Sequence, residues 1–371
     1  MRSWRLDVPE DVLEDLDARL RATRLPDPSP HDGWAQGLPL DVAHEVLQHW
    51  CERYDWRATE ARLNGFGQHV TTIDGVEIHF LHVRSSEAAA RPLVLTHGWP
   101  GSVIEFLELI GPLTDPVAHG GGPSDAFDVV VPSLPGYGFS SAPREPGWTV
   151  ERIADAWVAL VEQLGYASFL AHGGDWGSVV STAMAVRSPE AVSGVHLTMP
   201  IAPRTDDEPT PAEQQALRRY KQFRQDGQGY AVQQATRPQT LGYGLADSPW
   251  GQAAWILEKF HEWTDPTAGR FGGIALDTLL DNVMTYWLSN AGASSARLYY
   301  ESWGNFDLAP VHVPTGVSRF PYEVVPTSRR WVESRYTDLR TFRVHEAGGH
   351  FPALEQPAAL VDDLREFART L

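Results

Sequence analysis

Short, mostly apolar runs recur along this chain at 93–95, 129–131, 169–171, 195–197 and 311–317, with helix-length stretches between them. That alternation constrains the fold more than any other feature. A strand apolar throughout is covered on both faces, and strands joined by helices run parallel. The reading is a mostly parallel central sheet with helices on both sides. One connecting helix is sharply marked: Thr149 stands at its N-cap, Ile153, Trp157, Val161 and Leu164 share a face, and Gly165 stops it. Ahead of the parallel strands, Val70 and Thr72 lead into Asp74-Gly75 and then Val76, Ile78 and Phe80. A period of two around a dipeptide suited to a tight turn predicts a β-hairpin.

Two segments depart from this rhythm. Residues 1–64 are helical in period, with Pro9 at a first turn and Val12, Leu16 and Leu20 four apart. After Pro26, Pro28 and Pro30, a second amphipathic run carries Val42, Val46, Leu47, Trp50 and Tyr54. Neither helix has a core of its own, so this arm must pack on something larger. Residues 201–305 are helical and polar, yet hold five of the 14 tryptophans: Trp250, Trp255, Trp263, Trp287 and Trp303. Ser248-Pro249 opens one helix there, running to Trp263, and Asp277 opens another through Leu280, Val283, Met284 and Trp287. The segment reads as a helical lid between two strands of the sheet. The domain plan is an arm (1–64), a core (65–200), a lid (201–305) and the rest of the core (306–371).

Composition narrows the partners. Lys and Arg number 30 against 48 Asp and Glu, a formal net charge of −18 that repels phosphate backbones and anionic headgroups. Neither nucleic acid nor a membrane is expected as a partner. Cys51 is the single cysteine, so no intrachain disulfide can form. No apolar stretch reaches spanning length, and Asp7, Glu10 and Asp11 replace any apolar leader, so a soluble, cytoplasmic protein is expected. The acidic surface and long arm are compatible with a homodimer.

The chemistry gathers in three places. Directly after the run at 169–171 comes His172-Gly173-Gly174-Asp175-Trp176-Gly177-Ser178, followed by a helix-like stretch. This has the form of a strand–turn–helix elbow that presents a nucleophile between glycines, with aspartate in the nucleophile's place. A helix N-terminus favours the anion, and a carboxylate attacking carbon forms an ester that must then be hydrolysed. The plainer alternative is that Asp175 caps the helix. After the run at 93–95 comes His97-Gly98-Trp99-Pro100-Gly101-Ser102. Backbone N–H groups of Trp99 and of Trp176, next after Asp175, would form an oxyanion hole. His97 itself reads as structural. Near the C-terminus, a last strand at 342–346 leads into Ala347-Gly348-Gly349-His350-Phe351-Pro352, with a closing helix from Glu355. The order nucleophile, acid, histidine makes His350 the base. Glu323, in Phe320-Pro321-Tyr322-Glu323, is the preferred acid, with Glu333 and Asp338 as rivals. No clustered Cys/His pattern and no G-x-G-x-x-G after a strand is present, so no cofactor and no metal is expected.

In combination these residues resemble the microsomal-type epoxide hydrolases of the α/β-hydrolase superfamily. The resemblance covers nearly the whole chain: the arm, 97–102, Ser133-Leu134-Pro135-Gly136-Tyr137-Gly138-Phe139-Ser140, 173–178, Leu257-Glu258-Lys259-Phe260, 320–323 and 348–351. It implies an α/β-hydrolase fold and a triad of Asp175, Glu323 and His350. It also implies two lid tyrosines that donate hydrogen bonds to an epoxide oxygen, which match Tyr230 in Gly229-Tyr230 and Tyr299 in Arg297-Leu298-Tyr299. Tyr300 is the rival of Tyr299, since adjacent helical residues point about 100° apart and only one can face a pocket. The implied activity is cofactor-free hydrolysis of a small, largely apolar epoxide to a vicinal diol. Membrane-anchored relatives carry an N-terminal hydrophobic segment that this chain does not show. Two alternatives stay open: a haloalkane dehalogenase, which would need halide donors rather than tyrosines and against which the arm argues, and a non-catalytic binding protein, which should have lost a triad member.

Overall fold

In the computed structural model, which describes residues 1–325 and 327–371, the apolar runs form the interior of one sheet. Its strands are β1 (Arg2–Ser3), β2 (Gln68–Ile73), β3 (Val76–Val83), β4 (Arg91–Thr96), β5 (Phe127–Pro132), β6 (Phe169–Gly173), β7 (Val192–Leu197), β8 (Thr315–Arg319) and β9 (Leu339–Val344). They lie in the order β1-β2-β3-β5-β4-β6-β7-β8-β9. The first three pairings are antiparallel and all later ones parallel. The expected hairpin is present, with Ile73 opposite Val76 and both Asp74 (φ 47°) and Gly75 (φ 79°) in the left-handed region.

Three helices build the arm: α1 (Glu10–Arg21), α2 (Leu40–Glu52) and α3 (Trp56–Asn64). The first two follow the sequence pattern. The third was not expected, because only Trp56 and Leu63 mark its buried face among its large apolar positions. Asp55 caps it by accepting from the Arg57 N–H at 2.9 Å. The arm's apolar face, including Leu16, Leu20, Val46 and Trp50, belongs to the same core as the sheet. Asp281 ties it to the lid by accepting from Tyr54 Oη at 2.8 Å and Thr59 Oγ1 at 2.5 Å.

Helices α4 (Leu107–Thr114), α5 (Val150–Gln163) and α6 (Asp175–Arg187) connect the parallel strands. Thr149 occupies the N-cap of α5 in extended backbone, although its side chain caps nothing, and Gly165 follows the helix at φ 88°. Between β7 and β8 the chain leaves the sheet for α7 (Pro211–Gln222), α8 (Gly229–Thr236), α9 (Pro238–Asp247), α10 (Pro249–Trp263), α11 (Leu276–Leu288) and α12 (Gly292–Ser302). Then α13 (Arg329–Arg335), α14 (Pro352–Glu355) and α15 (Pro357–Ala368) complete the fold. The pairs α5 with α6 and α4 with α15 form the two covering layers. No helix among the described residues is long and apolar enough to cross a membrane.

Three readings of the sequence need correction. The strand expected at 311–317 runs from Thr315 to Arg319, and Val311 makes only an isolated bridge to Tyr336. Pro314 has no N–H to give the ladder, so the strand begins after it, while its carbonyl accepts from Val195 N–H at 2.9 Å. The last strand, expected at 342–346, starts and ends earlier because it is a half-exposed edge in which only part of the run is apolar. The closing helix is broken into α14 and α15 at Gln356 (φ −138°, ψ 51°), held out of helical backbone by the following Pro357.

Candidate active site

Asp175 sits where β6 turns into α6, with φ at 48°, a conformation that L side chains rarely adopt. The turn is possible only because the backbones around it touch. A Cβ on Gly177 would lie 1.8 Å from the Thr96 carbonyl oxygen, and one on Gly98 would lie 2.2 Å from Asp175 Oδ1. The N-cap of α6 is Gly174, and no side chain caps the helix. Asp175 Oδ1 instead accepts from the Trp99 N–H at 2.8 Å, across from the end of β4. Capping is therefore not what this carboxylate does. The Trp99-Pro100 bond that shapes this loop is cis. The Trp176 N–H lies in the first turn of α6, where amides have no acceptor within the helix.

The loops after β8 and β9 bring the other two expected residues to the same point. His350 Nδ1 meets Glu323 Oε1 at 2.8 Å. His350 Nε2 lies 3.4 Å from Asp175 Oδ2, but misaligned, so among the described residues it has no hydrogen-bond partner. The histidine loop is anchored on the end of α10: His350 N–H donates to the Trp263 carbonyl at 2.8 Å, and Gly348 N–H to Asp265 Oδ2 at 3.0 Å. Glu323 is oriented by its own loop, accepting from the N–H of Val324 at 2.6 Å and of Val325 at 3.2 Å. Its rivals are spent on surface pairs, Glu333 with Arg329 and Asp338 with Arg340. Burial opposes a charge on His350, yet Glu323 and Asp175 together outweigh it and hold the imidazole well above its ordinary pKa.

Tyr230 in α8 and Tyr299 in α12 both point inward over Trp99, whose ring stacks on Tyr230 at 4.9 Å and meets Tyr299 edge-on at 5.9 Å. Tyr299 is 1% exposed and Tyr300 61%, which separates the two neighbours. Burial first, then the negative charge of Asp175, raises Tyr230 well above 10, and burial and Tyr230 do the same to Tyr299, so both phenols keep their protons. His97 is structural, its Nδ1 2.9 Å from the Gly98 carbonyl and its Nε2 accepting from Leu134 N–H at 3.2 Å.

A cavity of about 360 Å³ opens from Asp175, His350 and Tyr230. Met199, Ile201, Phe223, Trp263, Trp303, Phe306, Val324 and Trp331 supply most of its wall, with Arg204, Tyr220 and Gln228 as polar exceptions. Several neighbours went unread in the sequence. The Tyr137 hydroxyl, in the loop after β5, is buried without a partner among the described residues. Glu105 lies beside Asp175 and His350; Ser102-x-x-Glu105 has the spacing of a capping box, which disguises any other role. From His172 a line of hydrogen bonds crosses the sheet. His172 Nδ1 meets His196 Nδ1 at 3.0 Å, and His196 Nε2 meets Ser318 Oγ at 3.1 Å. Ser318 donates to Asp363 of α15, which meets His345 Nε2 at 2.6 Å.

A parallel sheet with an aspartate elbow, a Glu–His pair and a lid between β7 and β8 defines an α/β hydrolase. Residues 91–244 match the model of the alpha/beta hydrolase fold, and residues 1–106 that of the epoxide hydrolase N terminus. Epoxide hydrolase 1 of Oryctolagus cuniculus is 34% identical over 99% of this chain and 88% of its own. Among solved structures, the Aspergillus niger epoxide hydrolase superposes with a TM-score of 0.90 at 32% identity, covering 100% of this chain and 96% of that one. The juvenile hormone epoxide hydrolase of the silkworm Bombyx mori gives 0.92 at 31%, covering 100% and 94%. The chain belongs to the epoxide hydrolase family.

Proposed function

We propose that the protein hydrolyses a small, largely apolar epoxide to a vicinal diol in two steps at Asp175, without a cofactor. The observation that carries this reading is the convergence on one cavity of a carboxylate on a strained turn, a Glu-backed histidine 3.4 Å from it and the buried Tyr230 phenol, with Tyr299 packed edge-on against Tyr230. In the first step an Asp175 oxygen attacks an epoxide carbon and the ring C–O bond breaks. Tyr230 and Tyr299 hydrogen-bond the oxygen, and one phenol gives its proton to the alkoxide. In the second step water attacks the ester carbonyl and His350 Nε2 takes its proton, while the N–H groups of Trp99 and Trp176 hold the oxyanion. Collapse breaks the bond to the alkyl oxygen, which takes the proton from His350. The proton left on Asp175 returns to His350.

Electrostatics support this order. While Asp175 is an anion, it helps Glu323 keep His350 protonated against the cost of burial. Esterification removes that charge, His350 yields its proton to the phenolate left by the first step, and Nε2 is free when a base is needed. The apolar wall of the cavity supports an apolar substrate. A cytoplasmic setting belongs to the same reading, supported by the single cysteine. The test is a single turnover in water enriched in heavy oxygen, with enzyme in excess. The first diol should carry ordinary oxygen and Asp175 the label. A diol labelled from the first turnover would make Asp175 a base toward water and end the proposal.

A further inference from the structure

A second, much smaller cavity lies beside Asp175, with a volume of about 10 Å³, room for a single water. It is lined in part by Glu105, His172 and Thr198. It shares Asp175 and His350, and no other lining residue, with the large cavity. Nucleophile and base thus form the wall between a chamber that fits a substrate and a chamber that fits one water.

The small chamber is furnished for water. His350 Nε2 and Thr198 Oγ1 are buried without hydrogen-bond partners among the described residues, and both residues line it. The carboxyl of Glu105 borders it, with the Ser102 N–H as its backbone neighbour. Glu105 fills space that its own loop leaves open: a Cβ on Gly101 would fall 1.3 Å from Glu105 Oε1. Polar atoms left unpaired around a space of this size are what an ordered water satisfies, since buried waters make two to four such bonds.

We propose that this chamber seats the water that hydrolyses the Asp175 ester, and that Glu105 is a positioning residue that holds it against His350 Nε2 with the help of Thr198. The inference rests on the two-step reading above and adds where the water waits and what places it. The water's oxygen forms the new bond to the ester carbonyl carbon, and one of its protons passes to His350. Glu105 takes no part in bond making and sets the direction of approach. Burial pushes its carboxyl up to about 8, so near neutrality it adds no second negative charge beside Asp175 and can both donate to and accept from the water. Entry from the side away from the substrate means that epoxide binding need not displace the water.

The two half-reactions separate the possibilities. Ester formation and ester decay are followed by rapid quench and intact-protein mass spectrometry under single-turnover conditions. Glu105→Ala should form the ester within about three-fold of the parent rate and lose at least about ten-fold in its decay, so that ester accumulates. Glu105→Gln, which keeps a donor and an acceptor, should recover most of that loss. Thr198→Val, close in shape, should also slow decay selectively, and it decides the matter if Glu105→Ala does not fold. Equal slowing of both half-reactions, or unchanged decay in a folded Glu105→Ala or Thr198→Val protein, would overturn the proposal. The reading beneath it is tested separately by the ester in His350→Gln: if none forms there or in the parent, the two-step scheme fails, whatever Glu105 does.

Discussion

Removing one phenol hydroxyl tests the lid directly. Tyr230→Phe and Tyr299→Phe keep the rings, so the 4.9 Å stack on Trp99 and the 5.8 Å edge contact between the two tyrosines survive, and stability should change little. On the proposed mechanism, what is lost is one of two neutral donors to the developing alkoxide. A hydrogen bond to a charged partner contributes about 1.5–3 kcal/mol, so a single variant should raise the alkylation barrier by about 2–3 kcal/mol, roughly 30- to 150-fold. The remaining phenol still serves the oxygen in each single variant. The double variant should therefore fall by more than the product of the two, with a coupling energy that a double-mutant cycle reads out. Tyr300→Phe is the internal control, since the residue is 61% exposed and loss of its hydroxyl should leave the rate within about two-fold. The assay is single-turnover alkylation followed by tryptophan fluorescence, with Trp99 and Trp176 both beside the tyrosines. A silent Tyr299→Phe together with a damaging Tyr300→Phe would refute the inward placement of Tyr299. A loss in the single variants matched by a comparable fall in melting temperature would refute the claim that the hydroxyls act on the transition state.

Gly177→Ala should be far costlier than its one carbon suggests, because the new Cβ would stand 1.8 Å from the Thr96 oxygen and force the elbow off β4. About 1–3 kcal/mol of stability and over about 100-fold in activity should be lost, by thermal melting and turnover, whereas Gly244→Ala, with nothing within 4 Å of its Cβ, should be stable. Acid should weaken the fold through its buried neutral histidines, since burial lowers His79 to about 3 and His97 and His196 to about 4, and takes His172 well below its usual value. The unfolded chain takes up those protons below about pH 6.5 and the native chain does not, so stability falls as pH drops from there toward 4; Glu105 (about 8) and Glu355 (about 7) act in the opposite sense. With His82, also lowered to about 4 by burial, the balance is a loss of about 3–4 kcal/mol per unit between pH 6 and 5 in urea titrations, and a flat or rising profile there would contradict it.

Much of the site was readable because its residues are bound to local backbone events. Asp175 stands between glycines at the end of an apolar run, His350 follows two glycines after the last strand, and Glu323 precedes it on the loop after β8. Each is visible without knowing the sheet order. Where reading failed, the missing information was spatial or was hidden by a competing local rule. Pro314 cut a strand inside an apolar run, and α3 has too few apolar residues to show a period. Glu105 obeys the spacing of a helix cap, and its second environment comes from loops distant in the chain. His172 and His196 look like ordinary strand residues until β6 and β7 are set in register, which makes them direct partners. Whether Tyr299 or Tyr300 faces inward depends on how α12 is rotated, and packing alone decides that.

That histidine pair begins the line through Ser318 and Asp363 to His345, and the line has a consequence for how the sequence can drift. Its inner members each serve two neighbours, so replacing one by an apolar residue strands two polar atoms in the interior, at about 1–3 kcal/mol apiece against a total stability of about 5–15. A lineage could lose the line at little cost by exchanging several members together, but the single steps toward that exchange are steeply downhill in stability. The route between having the line and lacking it therefore crosses a valley. Descendants should keep all five positions or have rewritten them as a block, which makes this strand-crossing line a better marker of ancestry than the more freely substituted surface around it.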